Sequence, residues 1–253
     1  MSASLAGRRV VVTRPAEQAR ALVERLAKLG AEVVAVPLIE IVPVATSREI
    51  DAALGSLDRY DVIVVTSANG ADCLADRLGD HALALPAGAL ALAVGEATAA
   101  RMAAHGLRVD RVPRQATGAA IVATLTADGI AGARVLLPRA RDGRPELPAG
   151  LRAAGAIVDD VAFYDTVACT PAPHAVERAL DADLIVLTAP SAVEVLAGCI
   201  GSGPSGAVRV ASIGPSTSAA ARRAGFTVLA EARDQSVDGL VAAVVDALRS
   251  HGG

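Results

Sequence analysis

Ala211-Ser-Ile-Gly-Pro-Ser-Thr-Ser-Ala-Ala-Ala221 reads as the end of a strand, a tight turn and the first turns of a helix. A short apolar run (208–213) meets Gly214, and Thr217 opens an alanine-rich segment that stops at Ala224-Gly225. Glycine permits a sharp turn, a hydroxyl near a helix start can accept from unpaired N–H groups, and those N–H groups favour an anion. The same order occurs 119 residues earlier, where an apolar run (90–94) leads into Gly95-Glu-Ala-Thr98 and a helix ending at His105-Gly106.

That echo extends along the chain. Arg9-Val-Val-Val-Thr-Arg14 is matched by Arg134-Val-Leu-Leu-Pro-Arg139, and Leu29-Gly-Ala-Glu-Val33 by Ala154-Gly-Ala-Ile-Val158, both 125 residues on. Val64-Val-Thr-Ser-Ala-Asn69 returns as Val186-Leu-Thr-Ala-Pro-Ser191 at 122, and Arg114-Gln-Ala-Thr as Arg233-Asp-Gln-Ser at 119. Four blocks in one order, with offsets drifting only by loop-sized steps, make the chain two copies of one α/β unit, roughly 7–127 and 133–250.

Composition narrows the class. Of 253 residues, 53% are hydrophobic, yet the aromatics are only Tyr60, Phe163, Tyr164 and Phe226. The cores must therefore be aliphatic, as in parallel sheets covered by helices. So few aromatics argue against a base-stacking platform, and a net charge of -3 offers no footprint for a polyanion; no nucleic-acid partner is expected. Lys28 is the single lysine among 24 basic residues, and arginine suits forked binding of carboxylates. Cys73, Cys169 and Cys199 are scattered without a CxxC, so neither a disulfide framework nor a metal site is expected. Arg8 and Arg9 lead into a short strand rather than a secretory leader. The longest apolar stretch, 83–94, is too short for a bilayer and is broken by Pro86 and Gly88. A soluble, cytoplasmic monomer without a membrane partner is the expectation.

Apolar periodicity places strands at 9–13, 62–66, 89–94, 108–112, 134–138, 184–188, 208–213 and 227–230. Helices are expected at 17–29, 47–57, 71–78, 98–105, 118–125, 147–154, 174–180, 191–199, 216–224 and 237–249. Strict βα alternation implies parallel sheets with right-handed crossovers and ligands at the carboxyl ends of strands. Two extended segments break the rule. Residues 32–44 and 156–169 run for 13 and 14 residues, against about 5–6 for a mean strand. Pro37 and Pro43 exclude a central strand over the whole first segment. Both read as connectors that leave one sheet for another and can pair as a two-stranded bridge.

The residues that can carry chemistry gather at strand C-termini: Thr13-Arg14, Thr66-Ser67-Ala-Asn69, Gly95-Glu-Ala-Thr98, Pro138-Arg139, Thr188-Ala-Pro-Ser191 and Gly214-Pro-Ser-Thr217. They are hydroxyls, amides, glycines and arginines, with no strong base or nucleophile among them. His81, His105, His174 and His251 lie in loops or at helix ends. Ser67, Thr98, Ser191 and Thr217 can cap helices, bind a ligand, or both; Arg14 and Arg139 can bind an anion or end a solvated loop. Gly201-Ser-Gly-Pro-Ser-Gly206 matches GxGxxG only formally, since it precedes a strand, carries a proline and opens no helix. Tyr164 stands apart, in the second connector between Phe163 and Asp165, where a phenol can donate a proton or pack a hinge.

From Gly7 to Leu248 the chain resembles the uroporphyrinogen-III synthase family. The matching pieces are Thr13-Arg14-Pro15, Thr66-Ser67-Ala-Asn69-Gly70, Val94-Gly95-Glu-Ala-Thr98, Phe163-Tyr164, Thr188-Ala-Pro-Ser191 and Ile213-Gly214-Pro-Ser-Thr217. Ala189 departs from the serine more usual there and leaves that loop's hydroxyl contact to Ser191. The resemblance implies two parallel-sheet, flavodoxin-like α/β domains joined by a two-stranded β ladder, with the active site in the cleft between them. It implies a discontinuous first domain (1–37 and 171–253), a second (45–160) and connectors at 38–44 and 161–170. The duplication alone would set the two repeats in succession; the overlong connectors favour the exchanged arrangement.

The implied activity closes the linear tetrapyrrole hydroxymethylbilane to uroporphyrinogen III, inverting the last ring and losing water, without a cofactor. By resemblance Tyr164 assists departure of the terminal hydroxyl and Thr217 binds nearby. Arg14, Ser67, Asn69, Gly95, Thr98, Arg139, Ser191, Gly214 and Ser216 would hold a substrate rich in carboxylates. Such a bilane tends to close unaided without inversion, so the protein's task is largely positional. Two other classes fit the residues: a two-lobed binding or regulatory protein for an anionic small molecule, and a nucleotide-dependent enzyme using the turns at Gly95 or Gly214. Product analysis separates the first from a synthase, and nucleotide binding tests the second.

Overall fold

The computed structural model describes residues 5–45, 47–201 and 208–250. Residues 202–206 of the glycine-rich run and His251 lie outside the described residues. The chain begins with β1 (Arg9–Val12), α1 (Ala16–Lys28), β2 (Glu32–Ala35) and β3 (Ile39–Pro43). Next come α2 (Arg48–Gly55), β4 (Val62–Val65), α3 (Ala68–Asp80), β5 (Leu90–Ala93), α4 (Glu96–Ala104) and α5 (Gly118–Ala127). These lead to β6 (Arg134–Ala140), α6 (Glu146–Ala153) and β7 (Ile157–Ala168). The last stretch is α7 (Pro173–Leu180), β8 (Leu184–Leu187), α8 (Pro190–Ile200), β9 (Arg209–Ser212), α9 (Pro215–Arg223), β10 (Thr227–Glu231) and α10 (Val237–Ser250).

Two compact units result, one from residues 1–40 and 167–253, the other from 41–166. In the first, the sheet order is β10-β9-β8-β1-β2, every pairing parallel. Counted within the unit this is the 2-1-3-4-5 order of flavodoxin-like folds. The second sheet runs β3-β7-β6-β4-β5. Its β6 and β7 are the second-copy equivalents of β1 and β2, and β6 pairs with first-copy β4 through Val62↔Val135 and Ile63↔Leu136. Each sheet thus takes two strands from one repeat and the remainder from the other. Inner strands β4 and β8 are buried at every position, as apolar strands covered on both faces must be.

The two overlong segments resolve differently. The first breaks after Ala35: Val36 and Leu38 turn into the core at 4% and 1% exposure, and only β3 continues extended. The second is one strand, β7, whose first part belongs to the second sheet beside β6. The expected ladder forms between β3 and β7. Val44 N–H donates to the Phe163 carbonyl at 3.0 Å and Cys169 N–H to that of Leu38 at 2.9 Å. Numbers rise on one strand as they fall on the other, so the pair is antiparallel.

The strand expected at 108–112 is absent among the described residues; only an isolated bridge, Leu92↔Arg111, stands there. The Asp110 carboxylate accepts the Ala91 N–H at 2.8 Å, where a ladder would supply a carbonyl, and the Arg108 guanidinium donates to the carbonyls of Pro86 and Ala89. Side chains replace part of the ladder, while Asp110 N–H still donates to the Ala91 carbonyl at 2.8 Å and Ala93 N–H to that of Arg111 at 3.0 Å. Asp183 plays a similar part for the first sheet, accepting from Arg9 N–H at 2.8 Å and Arg8 Nη1 at 3.1 Å. Burial pushes both carboxyls up, but the N–H and arginine partners outweigh it and hold each below the ordinary 3.8. With the folded value depressed, their stabilisation is complete above that ordinary value and is lost as pH falls through the folded one. Urea unfolding between about pH 5 and pH 2 is expected to show this loss. Asp110→Asn or Asp183→Asn should flatten it, and pH slopes equal to the parent's would refute the assignment.

Candidate active site

In the second unit the strand order reverses between β6 and β4, and helices leaving those strands pass to opposite faces. Such a switch point leaves a crevice at the strands' carboxyl ends. A cavity of about 820 Å³ occupies it. Thr66 and Ser67 enter from the end of β4, Arg139 and Ala140 from β6, and Tyr164 from β7. The opposite wall is apolar: Ile121 and Val122 of α5 and Leu147 of α6. Gly150 lets these helices approach, since a Cβ there would stand 2.9 Å from Val122 Cγ2.

Tyr164 owes its aim to a defect in the ladder. Register along β6 and β7 is regular to Arg139↔Ala162, then shifts so that Ala140 faces Tyr164 and Phe163 is the extra residue. A bulge of this kind re-aims the next side chain. Tyr164, 5% exposed, places its hydroxyl 2.9 Å from Ser67 Oγ. Ser67 also caps α3, accepting from Gly70 N–H at 2.9 Å. Burial pushes the Tyr164 phenol above its ordinary 10.0, and the Ser67 hydrogen bond only partly offsets this. The group is therefore neutral at physiological pH: it can donate a hydrogen bond or a proton but cannot serve as a base.

Arg139 lies on the same cavity with its fork occupied. Nε and Nη2 donate to the Asp160 oxygens at 2.6 and 2.7 Å, and Nη1 donates to the Arg144 carbonyl at 2.6 Å. Neither a free anion site nor a solvated loop end describes it.

The four hydroxyls expected as caps divide. Ser67 caps, whereas Thr98, Ser191 and Thr217 lie inside the first turns of α4, α8 and α9, where Gly95, Ala189 and Gly214 are the N-caps and make no side-chain cap bond. Thr98 and Thr217 are buried at 5% and 1%. The sharp turn that glycine permits is not used at either position: φ of -169° at Gly95 and 170° at Gly214 is extended backbone open to any residue. Close approach explains Gly95 instead, because a Cβ there would meet Ala116 Cβ at 2.9 Å. At Gly214 the neighbour is the flexible tip of Gln235, 3.3 Å away.

The first unit reverses its strand order between β1 and β8. Thr13 spans that point, its hydroxyl donating to the Val186 carbonyl at 2.8 Å. Arg14 follows, half-buried, with its guanidinium pushed down by burial alone and no carboxylate partner among the described residues. Ser191 and exposed Ser216 begin the helices after β8 and β9. In the second unit Asn69 is in the first turn of α3, with a partner of its own. Ser67, Arg139 and Tyr164 are thus brought to one cavity, while Arg14, Ser191, Gly214, Ser216 and Thr217 stand at strand ends of the other unit. Sequence reasoning missed the α5–α6 wall and the loop Asp142-Gly-Arg-Pro145, which puts Arg144 on the cavity. Its signal was an arginine in a Gly/Pro loop directly after Arg139. Among the described residues no group of three His, Cys, Asp or Glu could hold a metal ion, and no helix is long and apolar enough to cross a membrane.

Residues 20–242 match the family model described as uroporphyrinogen-III synthase HemD. A uroporphyrinogen-III synthase of Synechococcus elongatus is 29% identical over 252 residues, covering 95% of each chain. Among solved structures, a mutant uroporphyrinogen III synthase of Thermus thermophilus superposes with a TM-score of 0.65 at 19% identity, over 97% of this chain and 100% of that one. The Helicobacter pylori uroporphyrinogen-III synthetase gives 0.63 at 15% identity, over 94% and 98%. These two show the fold.

Proposed function

The chain belongs to the uroporphyrinogen-III synthase family, and on that premise we propose that it closes hydroxymethylbilane to uroporphyrinogen III with inversion of the last pyrrole ring and loss of water. The observation that carries the reading is the neutral, buried Tyr164 phenol, held by Ser67 at the switch-point cavity. As the terminal C–O bond breaks, a pyrrole nitrogen supplies the electron pair, and the departing oxygen needs a proton donor. Tyr164 is assigned that role, supported by its buried phenol on the cavity and its hydrogen bond with Ser67. The apolar wall keeps water from the cation that forms, and the cavity's shape selects the folded geometry that inversion requires.

Carboxylate binding in the first unit is assigned to Arg14, Ser191, Ser216 and the first-turn amides of α9, with Thr217 buried behind them. In the second unit Ser67, Asn69 and the α4 start at Gly95, with Thr98 behind it, serve in the same way. The reaction needs no cofactor, and the protein works as a cytoplasmic monomer, which size-exclusion chromatography tests.

Incubating hydroxymethylbilane with the protein and separating the product isomers tests the function. The III isomer is expected in large excess over I. Isomer I alone, formed at the unaided rate, would retire the reading in favour of a binding protein.

A further inference from the structure

We propose that Arg144 binds a substrate carboxylate at the rim of the second unit's cavity, and that Arg139 is the positioning residue that holds it there. The inference rests on the functional reading above and names two roles within that same site.

Arg139 has nothing left to offer a substrate. Arg139 is 9% exposed, and its guanidinium grips both Asp160 oxygens and donates its remaining edge to the Arg144 carbonyl. Prising Asp160 away would strand a half-buried carboxylate. The loop is built around this guanidinium. A Cβ at Gly143 would stand 2.5 Å from Nη1 and 2.9 Å from Cζ, so position 143 has no room for a side chain while Arg139 stays put. Gly143 N–H closes the turn on the Ala140 carbonyl at 3.1 Å.

The product of that construction is the placement of Arg144. Its backbone carbonyl is fixed by Arg139, its side chain is exposed, and it lines the cavity that holds Tyr164. It takes part in no ion pair among the described residues, although neighbouring Arg139 and Arg141 are each paired with an aspartate. A guanidinium without an ion-pair partner, on the same cavity as the apolar Ile121, Val122 and Leu147, suits a pyrrole ring that bears an acidic side chain. The ring packs on the aliphatic wall, and its carboxylate meets the fork. Among the described residues lining the cavity the opposing charge is Glu146, exposed in the first turn of α6, and Asp142 of the same loop acts on Tyr164 from nearby.

The test measures kcat, KM for hydroxymethylbilane and the III:I ratio for wild type, Arg144→Ala, Arg144→Lys, Arg139→Lys, Glu146→Gln and the Arg139→Lys/Arg144→Ala double variant. Wild type comes first: if it makes no III isomer, the functional reading itself falls. Given that isomer, Arg144→Ala is expected to raise KM about 10- to 100-fold, the worth of a charged hydrogen bond, with kcat nearly unchanged. Arg144→Lys should recover part of the loss, keeping the charge but not the fork. Glu146→Gln should lower KM. Arg139→Lys should raise KM alone yet add nothing to Arg144→Ala, as expected of a residue acting through another. A KM for Arg144→Ala close to wild type, at an unchanged unfolding midpoint, overturns the carboxylate assignment. Additive losses in the double variant overturn the positioning role.

Discussion

Tyr164→Phe is expected to lower kcat about 100-fold or more, the usual contribution of a placed proton donor, while leaving the protein folded. The substitution removes one oxygen from a side chain already 5% exposed and keeps the ring in its packing. Ser67 loses one partner but retains the Gly70 N–H, so α3 stays capped. Because burial holds the phenol above 10.0, the wild-type rate should show no loss from tyrosine ionisation anywhere near neutral pH. The isomer ratio supplies a second readout. As the enzymatic closure slows, the unaided one gains share, so III:I should fall together with kcat. Near-normal III formation by a folded Tyr164→Phe protein would remove the assignment, whatever the family likeness.

Phe163→Ala should have the largest effect on stability. Phe163 is fully buried in a cluster with Ile50, Leu74, Met102 and Leu136. Truncating a buried phenylalanine costs about 3–5 kcal/mol, a large part of the roughly 5–15 kcal/mol that holds a protein folded. A second consequence follows from its place in the ladder. Phe163 is the extra residue at the register shift, and its ring anchors the bulge that turns Tyr164 toward Ser67. Activity should therefore fall further than the folded fraction does. Phe163→Leu, which fills most of the space, should regain much of the stability. Urea unfolding and kcat on the same samples measure both; a stability loss below about 1 kcal/mol would mean the ring is not the anchor.

Much was legible without coordinates because it is local. The repeat at Gly95 and Gly214, the four-residue apolar strands and the helices that follow them all lie within short windows, where periodicity and turn residues dictate the backbone. The pairing of two overlong segments could be read as well, since 13 and 14 extended residues have few other uses. The failures share a cause. At 108–112 the apolar alternation was present, but the Asp110 carboxylate took the Ala91 N–H and the Arg108 guanidinium took the Pro86 and Ala89 carbonyls, leaving an isolated bridge in place of a strand. At Thr98 and Thr217 the hydroxyl lay near a helix start, yet the cap position fell to a glycine three residues earlier.

By itself, the order of residues determined a duplicated βα chain, aliphatic sheets, strand-end chemistry poor in bases, and a tyrosine set apart from all of these. Only the tertiary structure decided which strands meet, with β4 beside β6 and β1 beside β8, each across the repeat boundary. It also decided that a one-residue slip at Phe163 aims Tyr164 at Ser67, and that Asp160 claims the Arg139 fork and leaves Arg144 to the cavity. The physical reason is the same for each. A strand or a guanidinium takes the partner that lowers the free energy of the whole packed arrangement, and that partner, here 21 to 174 residues away, leaves no mark in the local pattern.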